Sequence, residues 1–129
     1  LMLTKDRDIL RCDFAMDSPF RLEATIHEDR FNIFIDNKLD IACNKLSALF
    51  DRGHPKDFVD VYFIDRELMP FDRLVEKARE KHIGMDDYGL AVSLAKMDEI
   101  STLPRMIKPV TIPELKDFFI AKSRHLMGK

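Results

Sequence analysis

Over the first third of the chain, hydrophobic and polar positions alternate, and after residue 37 the pattern changes to a helical period. Between Asp8 and Phe14, the residues Leu10, Cys12 and Phe14 fall on one face and Arg11 and Asp13 on the other, which predicts a strand. Asp17-Ser18-Pro19 reads as a turn. A second strand is expected over Phe20 to His27, with Leu22, Ala24 and Ile26 on one side, and a third over Phe31 to Ile35. The brief Glu28-Asp29 connection predicts that these two form an antiparallel hairpin.

Beyond Asn37 the apolar residues recur every three or four positions. Asp40 is the expected N-cap of a helix over Ile41 to Arg52, closed by Gly53, with Pro55 in the first turn of the next helix. That second helix runs through Phe58, Val61 and Tyr62 to about Asp65. A third is expected from Pro70-Phe71 to His82, ended by Gly84, and a fourth after Asp86-Asp87 through Leu90, Leu94 and Met97. The segment from Ser101 to Pro113 holds three prolines and reads as a connector, and Ile112 to Leu126 as a last amphipathic helix. The outline is α+β: a small mixed or antiparallel sheet followed by about five helices, with no repeat and no break in composition.

Composition narrows the function classes. With 129 residues, 46% hydrophobic and 34% charged, the chain can bury a real core. A net charge of −2 argues against a broad nucleic-acid footprint and leaves only local basic faces, such as Lys77, Arg79 and Lys81, or Lys116, Lys122 and Arg124. Cys12 and Cys43 match no metal or redox spacing and are expected as buried thiols of a reducing, cytoplasmic compartment. No apolar run is long enough for a membrane span. The chain opens on Leu1-Met2-Leu3 and leads almost directly into a strand pattern, so a preceding N-terminal portion is expected. Phosphate-loop, dinucleotide, nucleophile-elbow and zincin motifs are all missing, and His27, His54, His82 and His125 are scattered.

Candidate chemistry concentrates between Lys45 and Tyr62. Lys45 lies on one helix, Arg52 at its end, and Asp57 and Asp60, three apart and so on one face, in the first turns of the next. The short His54-Pro55 connector brings these groups together. Two readings remain open at this point. The acids can complement the helix dipole and pair with Lys45 and Arg52, or the cluster can serve a reaction. Lys45 is the strongest candidate, because a cation on a largely apolar helix side needs a partner or a ligand.

This segment resembles the AbiEii/AbiGii nucleotidyltransferase toxin family, within the polymerase-beta-like nucleotidyltransferases. The family pattern K-x-x-A-L-x-x-R-x-x-P-K/R-D-x-x-D-L/V-Y falls on Lys45, Ala48, Leu49, Arg52, Pro55, Lys56, Asp57, Asp60, Val61 and Tyr62. Ile41-Ala42, the stretch Met106-Ile107-Lys108-Pro109-Val110, and Arg11-Cys12-Asp13-Phe14 with Asp17-Ser18-Pro19-Phe20-Arg21 also follow its style, so the likeness spans about residues 8 to 126.

The resemblance implies that residues 1–37 are the last strands of a nucleotidyltransferase core and 38–129 the helical region. It implies Asp13 as the third carboxylate and a Mg²⁺ ligand, Lys45 and Arg52 as contacts to the triphosphate of an NTP, and Asp57 with Asp60 as positioning or acceptor-side groups. It further implies an RNA (tRNA-like) or protein acceptor, an antitoxin partner and a place in a toxin–antitoxin or phage-defence system.

One family element is missing: a Gly-Gly or Gly-Ser turn followed about ten residues later by an Asp-x-Asp pair. Asp6-Arg7-Asp8 has the spacing without the turn. The alternative expectation is therefore a non-catalytic family member that binds a partner or forms a homo-oligomer.

Overall fold

The computed structural model describes residues 2–11, 20–106 and 108–128. Its α+β architecture has the strands first and the helices after. Strand β1 (Met2–Lys5) pairs antiparallel with β2 (Asp8–Arg11), Met2 opposite Arg11 and Lys5 opposite Asp8. Asp6 and Arg7 are the turn between them, and Asp6 takes a left-handed conformation at φ 55°. The Asp6-x-Asp8 spacing is thus a turn joined to a strand start. Strand β3 (Ile26–Glu28) pairs antiparallel with β4 (Ile33–Ile35), Ile26 opposite Ile35. The expected hairpin is present, but the described strands form two separate two-stranded ribbons and not one sheet.

The strand expected from Phe20 starts only at Ile26, and the reason is a hydrogen-bond competitor. The backbone N–H groups of Leu22 and Glu23 donate to the two carboxylate oxygens of Asp40, at 2.9 and 3.0 Å, which fixes this stretch against a helix. That helix, α1 (Lys38–Asp51), is capped by Asn37 and not by Asp40: the Asn37 side chain accepts from the Asp40 N–H at 2.8 Å. Asp40 lies inside the first turn with no exposed surface. Its remaining partners are the Asn37 amide at 2.5 Å and the Lys81 ammonium at 2.9 Å, itself buried, from the last turn of α3 (Phe71–Lys81). Burial pushes the Asp40 carboxyl up. The Leu22 N–H, the Lys81 ammonium, the Asn37 amide and the Glu23 N–H outweigh it and hold the group well below the ordinary carboxylate range.

The other helices are α2 (Pro55–Glu67), α4 (Asp87–Ala95), followed by a 3-10 turn over Lys96–Glu99, and α5 (Ile112–Leu126). Each start has a chemical cause: Pro55 opens α2, the Asp65 carboxylate accepts from the Phe71 N–H at 2.8 Å, Asp86 caps α4, and Thr111 caps α5. Helix α1 packs on α2, α3 and α4, and α5 closes over α4 and α2. Buried aromatic rings tie α2, α3 and α5 together, with Phe58 against Phe119 and Phe71 against Phe118, edge to face at 5.0 and 6.0 Å. Among the described residues every buried apolar side chain lies at or beyond Ala42. Cys43 is one of them, a free thiol that burial pushes up to about 11.

Removing one member of the buried Asp40–Lys81 pair strands the other. Lys81→Met is expected to lower unfolding free energy in urea by about 3 kcal/mol. Asp40→Ala should cost at least as much, because it also frees Leu22, Glu23 and Asn37. The folded carboxyl lies below its unfolded value of 3.8, so its stabilisation is complete above about pH 5 and is lost progressively as the pH falls below 3.8 toward the folded value. Urea titrations at neutral and acid pH should show this loss in the parent chain and a smaller one in Asp40→Asn.

Candidate functional site

The corner between α1 and α2 is built by a sharp backbone turn. Arg52 ends α1, its N–H donating to the Ala48 carbonyl at 2.9 Å, and Gly53 follows at φ +61°, a left-handed conformation that suits glycine. His54 and Pro55 then start α2, placing Asp57 one turn away from Arg52. The guanidinium grips the carboxylate with a fork: Nε donates to Oδ2 at 2.9 Å and Nη2 to Oδ1 at 2.8 Å. Oδ2 also accepts from the His54 N–H at 3.0 Å. Asp57 is 1% exposed in its side chain and Arg52 is 55% exposed, so the pair seals the corner while the cation's outer edge meets solvent. Burial raises the Asp57 carboxyl, but the Arg52 fork and the His54 N–H prevail and set it below the ordinary range. Arg52 moves further up in return, chiefly through its bonds to Asp57.

One turn further into α2 and about two turns back along α1, the Lys45 ammonium meets the Asp60 carboxylate at 3.1 Å, and this pair is only half-buried. The structure therefore brings all four candidate groups of the α1–α2 corner into two adjacent ion pairs. The pairing is one-to-one. Asp57 holds Arg52 and not Lys45, and Asp60 orients Lys45 and not Arg52. The cause is helix geometry: Asp57, at the start of α2, faces the end of α1, and Asp60, one turn on, faces about two turns back along α1.

Two clefts meet at Asp60 and Phe63. The first, about 250 Å³, runs beside Lys45 between Ile41 on α1 and Ile64, Glu67 and Leu68 on α2. The second, about 390 Å³, lies between α2, at Lys56 and Val59, and the connector residues Pro104, Arg105, Met106 and Lys108. Sequence reasoning treated that connector only as a linker and as part of the family likeness. The available signal was the placement of Arg105 and Lys108 three apart between Pro104 and Pro109, beside apolar Met106.

Asp13 lies outside the described residues, as does Cys12. Among the described residues no three His, Cys, Asp or Glu side chains gather as a metal site, and both oxygens of Asp57 are taken by Arg52. These residues do not make a Mg²⁺ centre by themselves. The two basic faces read from sequence are largely consumed internally. Lys81 is buried on Asp40, Arg79 binds Asp87, and Lys77 lies 3.7 Å from Glu80. On α5, Lys122 sits over the Phe71 and Phe118 rings, and Lys116 lies 3.9 Å from Asp98. No helix among the described residues is long and apolar enough to cross a membrane.

The two pairs should separate energetically. Arg52→Ala leaves a charged, buried Asp57 and is expected to cost about 2 kcal/mol of stability. A Lys45/Asp60 double-mutant cycle should give a coupling of about 0.5 kcal/mol, the range of solvent-exposed pairs. Urea denaturation of the single and double variants measures both; a Lys45/Asp60 coupling as large as the Arg52→Ala loss would contradict the burial difference. Compared with known proteins, the chain matches no family model, no curated protein and no solved structure, so the corner is judged on its own geometry.

Proposed function

We propose that this chain carries the helical, triphosphate-contacting part of a nucleotidyltransferase of the AbiEii/AbiGii toxin type. The reaction joins the nucleoside monophosphate of an NTP to a hydroxyl of an RNA or protein acceptor: the acceptor oxygen bonds to the alpha-phosphorus and its proton passes to solvent, the bond between the alpha-phosphorus and the bridging oxygen breaks, and pyrophosphate leaves. The observation that carries the reading is the state of Lys45. Its ammonium is held by Asp60 yet remains 40% exposed in the side chain, at a cleft. A cation pre-oriented by one carboxylate and open on its other side can donate to a phosphate oxygen without moving far. Arg52 supports the same surface. Its Nε and Nη2 are locked on Asp57, and Nη1 makes no bond to the described residues.

In this reading Asp57 and Asp60 are positioning residues, fixing Arg52 and Lys45. Mg²⁺ belongs to the proposal as the ion this chemistry uses, with Asp13 as the candidate ligand in this chain, and no step is assigned to it. An antitoxin protein and a cytoplasmic location belong to the same proposal.

A second reading has its own observation. The β3–β4 ribbon exposes Phe31, Ile33, Phe34 and Ile35, with Phe34 at 72%. A surface of that kind suits a partner-binding or self-associating module.

Titration with a fluorescent ATP analogue distinguishes the two. Saturable binding that weakens about tenfold or more in Lys45→Ala, a loss of about 1.4 kcal/mol, and less in Lys45→Arg, is the expected result. Binding indifferent to Lys45 would overturn the nucleotidyltransferase reading. Sedimentation velocity of the parent and Phe34→Asp would then show whether the ribbon drives association.

A further inference from the structure

A third cleft, about 400 Å³, lies between α2 and α5 and shares no lining residue with the two that meet at Asp60. Helical spacing builds it. Tyr62 and Arg66 are four apart on α2, and Glu114, Asp117 and Phe118 follow one face of α5, so two short stripes oppose each other. The Tyr62 and Phe118 rings meet edge to face at 5.3 Å. The fold leaves every polar group of this cleft over. Arg66 rests on the Tyr62 ring at 4.9 Å, and neither it nor Glu114 nor Asp117 forms an ion pair among the described residues. Opposite charges thus line one cleft without closing on each other. Tyr62 is only 7% exposed, yet its hydroxyl makes no hydrogen bond among the described residues and is not enclosed. A ring buried so deeply ordinarily finds a partner for its O–H; this one is left at the cleft wall.

We infer that this cleft binds a free dibasic amino acid, with L-arginine as the type ligand. Two acids on a helix face are ordinary solvated groups; the unpartnered phenol and the unpaired guanidinium facing them mark a ligand site. Two carboxylates and one guanidinium are complemented by two cations and one anion, and a free dibasic amino acid carries an α-ammonium, a side-chain cation and an α-carboxylate. The α-carboxylate lies on the Arg66 fork and accepts from the Tyr62 O–H. The two cations lie on Glu114 and Asp117, and the methylene stem covers Tyr62 and Phe118. The volume falls within the range of small-ligand sites. A nucleotide would bring phosphate against Glu114 and Asp117, and a polyamine would leave Arg66 and the phenol without a partner. The site is therefore separate from the function proposed above and does not rest on it.

Proton–nitrogen NMR titration of the whole 129-residue chain with L-arginine tests the inference. Saturable shifts are expected around Tyr62 and Arg66 on α2 and around Glu114 and Asp117 on α5. Agmatine, which lacks the α-carboxylate, should bind about tenfold more weakly, the worth of one charged hydrogen-bonded contact. Arg66→Gln should bring L-arginine down to the affinity of agmatine without weakening agmatine itself. Glu114→Gln/Asp117→Asn should weaken both ligands about tenfold or more. All three substituted side chains are exposed, so thermal melting should change little, and Lys45→Ala should leave L-arginine binding as it is. Agmatine binding the parent chain as tightly as L-arginine overturns the inference in favour of a polyamine site. Equal binding of Nα-acetyl-L-arginine amide, which keeps only the side-chain charge, overturns it in favour of an arginine displayed by a protein partner. No saturation below about 10 mM, or binding indifferent to Arg66 and the two acids, overturns it outright.

Discussion

A carboxylate with no exposed surface must have every oxygen satisfied, and Asp40 meets this requirement by reaching in three directions. It takes the N–H groups of Leu22 and Glu23, the amide of Asn37 and the ammonium of Lys81. Three parts of the chain far apart in sequence are thereby tied to one point at the start of α1. The segment before the β3–β4 ribbon cannot continue as strand, α1 is fixed at its first turn, and the end of α3 is drawn onto it. Breaking such a network would leave buried charge unpaired, so the network fixes where the N-terminal segment meets the helices. The corner used for the proposed chemistry lies at the opposite end of that same α1.

Much of this fold could be read from the sequence. Local signals with a mechanism gave the helices nearly residue by residue: Gly53 as the left-handed stop, Pro55 as an opening residue, Asp86 as a cap, and the Ile112–Leu126 stripe. What escaped was decided by tertiary contacts. Asp40 is a good N-cap by type, but Asn37 takes the cap because the Asp40 carboxylate is required elsewhere. The strand alternation over Leu22 and Ala24 is real, yet a buried acceptor claims the backbone donors that a strand partner would use. Lys77, Arg79 and Lys81 cluster in sequence as a basic stretch, and nothing in the sequence says that Lys81 points inward.

The candidate site shows the same division. Spacing alone brought Lys45, Arg52, Asp57 and Asp60 to one corner, because a three-residue connector leaves little freedom. Which acid pairs with which base depends on how the two helices face each other, and that was not legible. The second cleft was less legible still. It joins α2 to a proline-bounded connector more than forty residues away, and no periodicity links the two.

The unequal burial of the two ion pairs bears on what each can do. A fork sealed on a buried carboxylate, as between Arg52 and Asp57, is costly to open, so it suits holding a shape. A half-exposed pair such as Lys45–Asp60 is held weakly enough to exchange one anionic partner for another. A phosphate arriving at Lys45 would meet a cation already aimed and only lightly engaged, and Asp60, released from it, would lie between the two clefts. Under the proposed function, the rigid pair would fix the corner and the labile pair would be the one available for ligand exchange at Lys45.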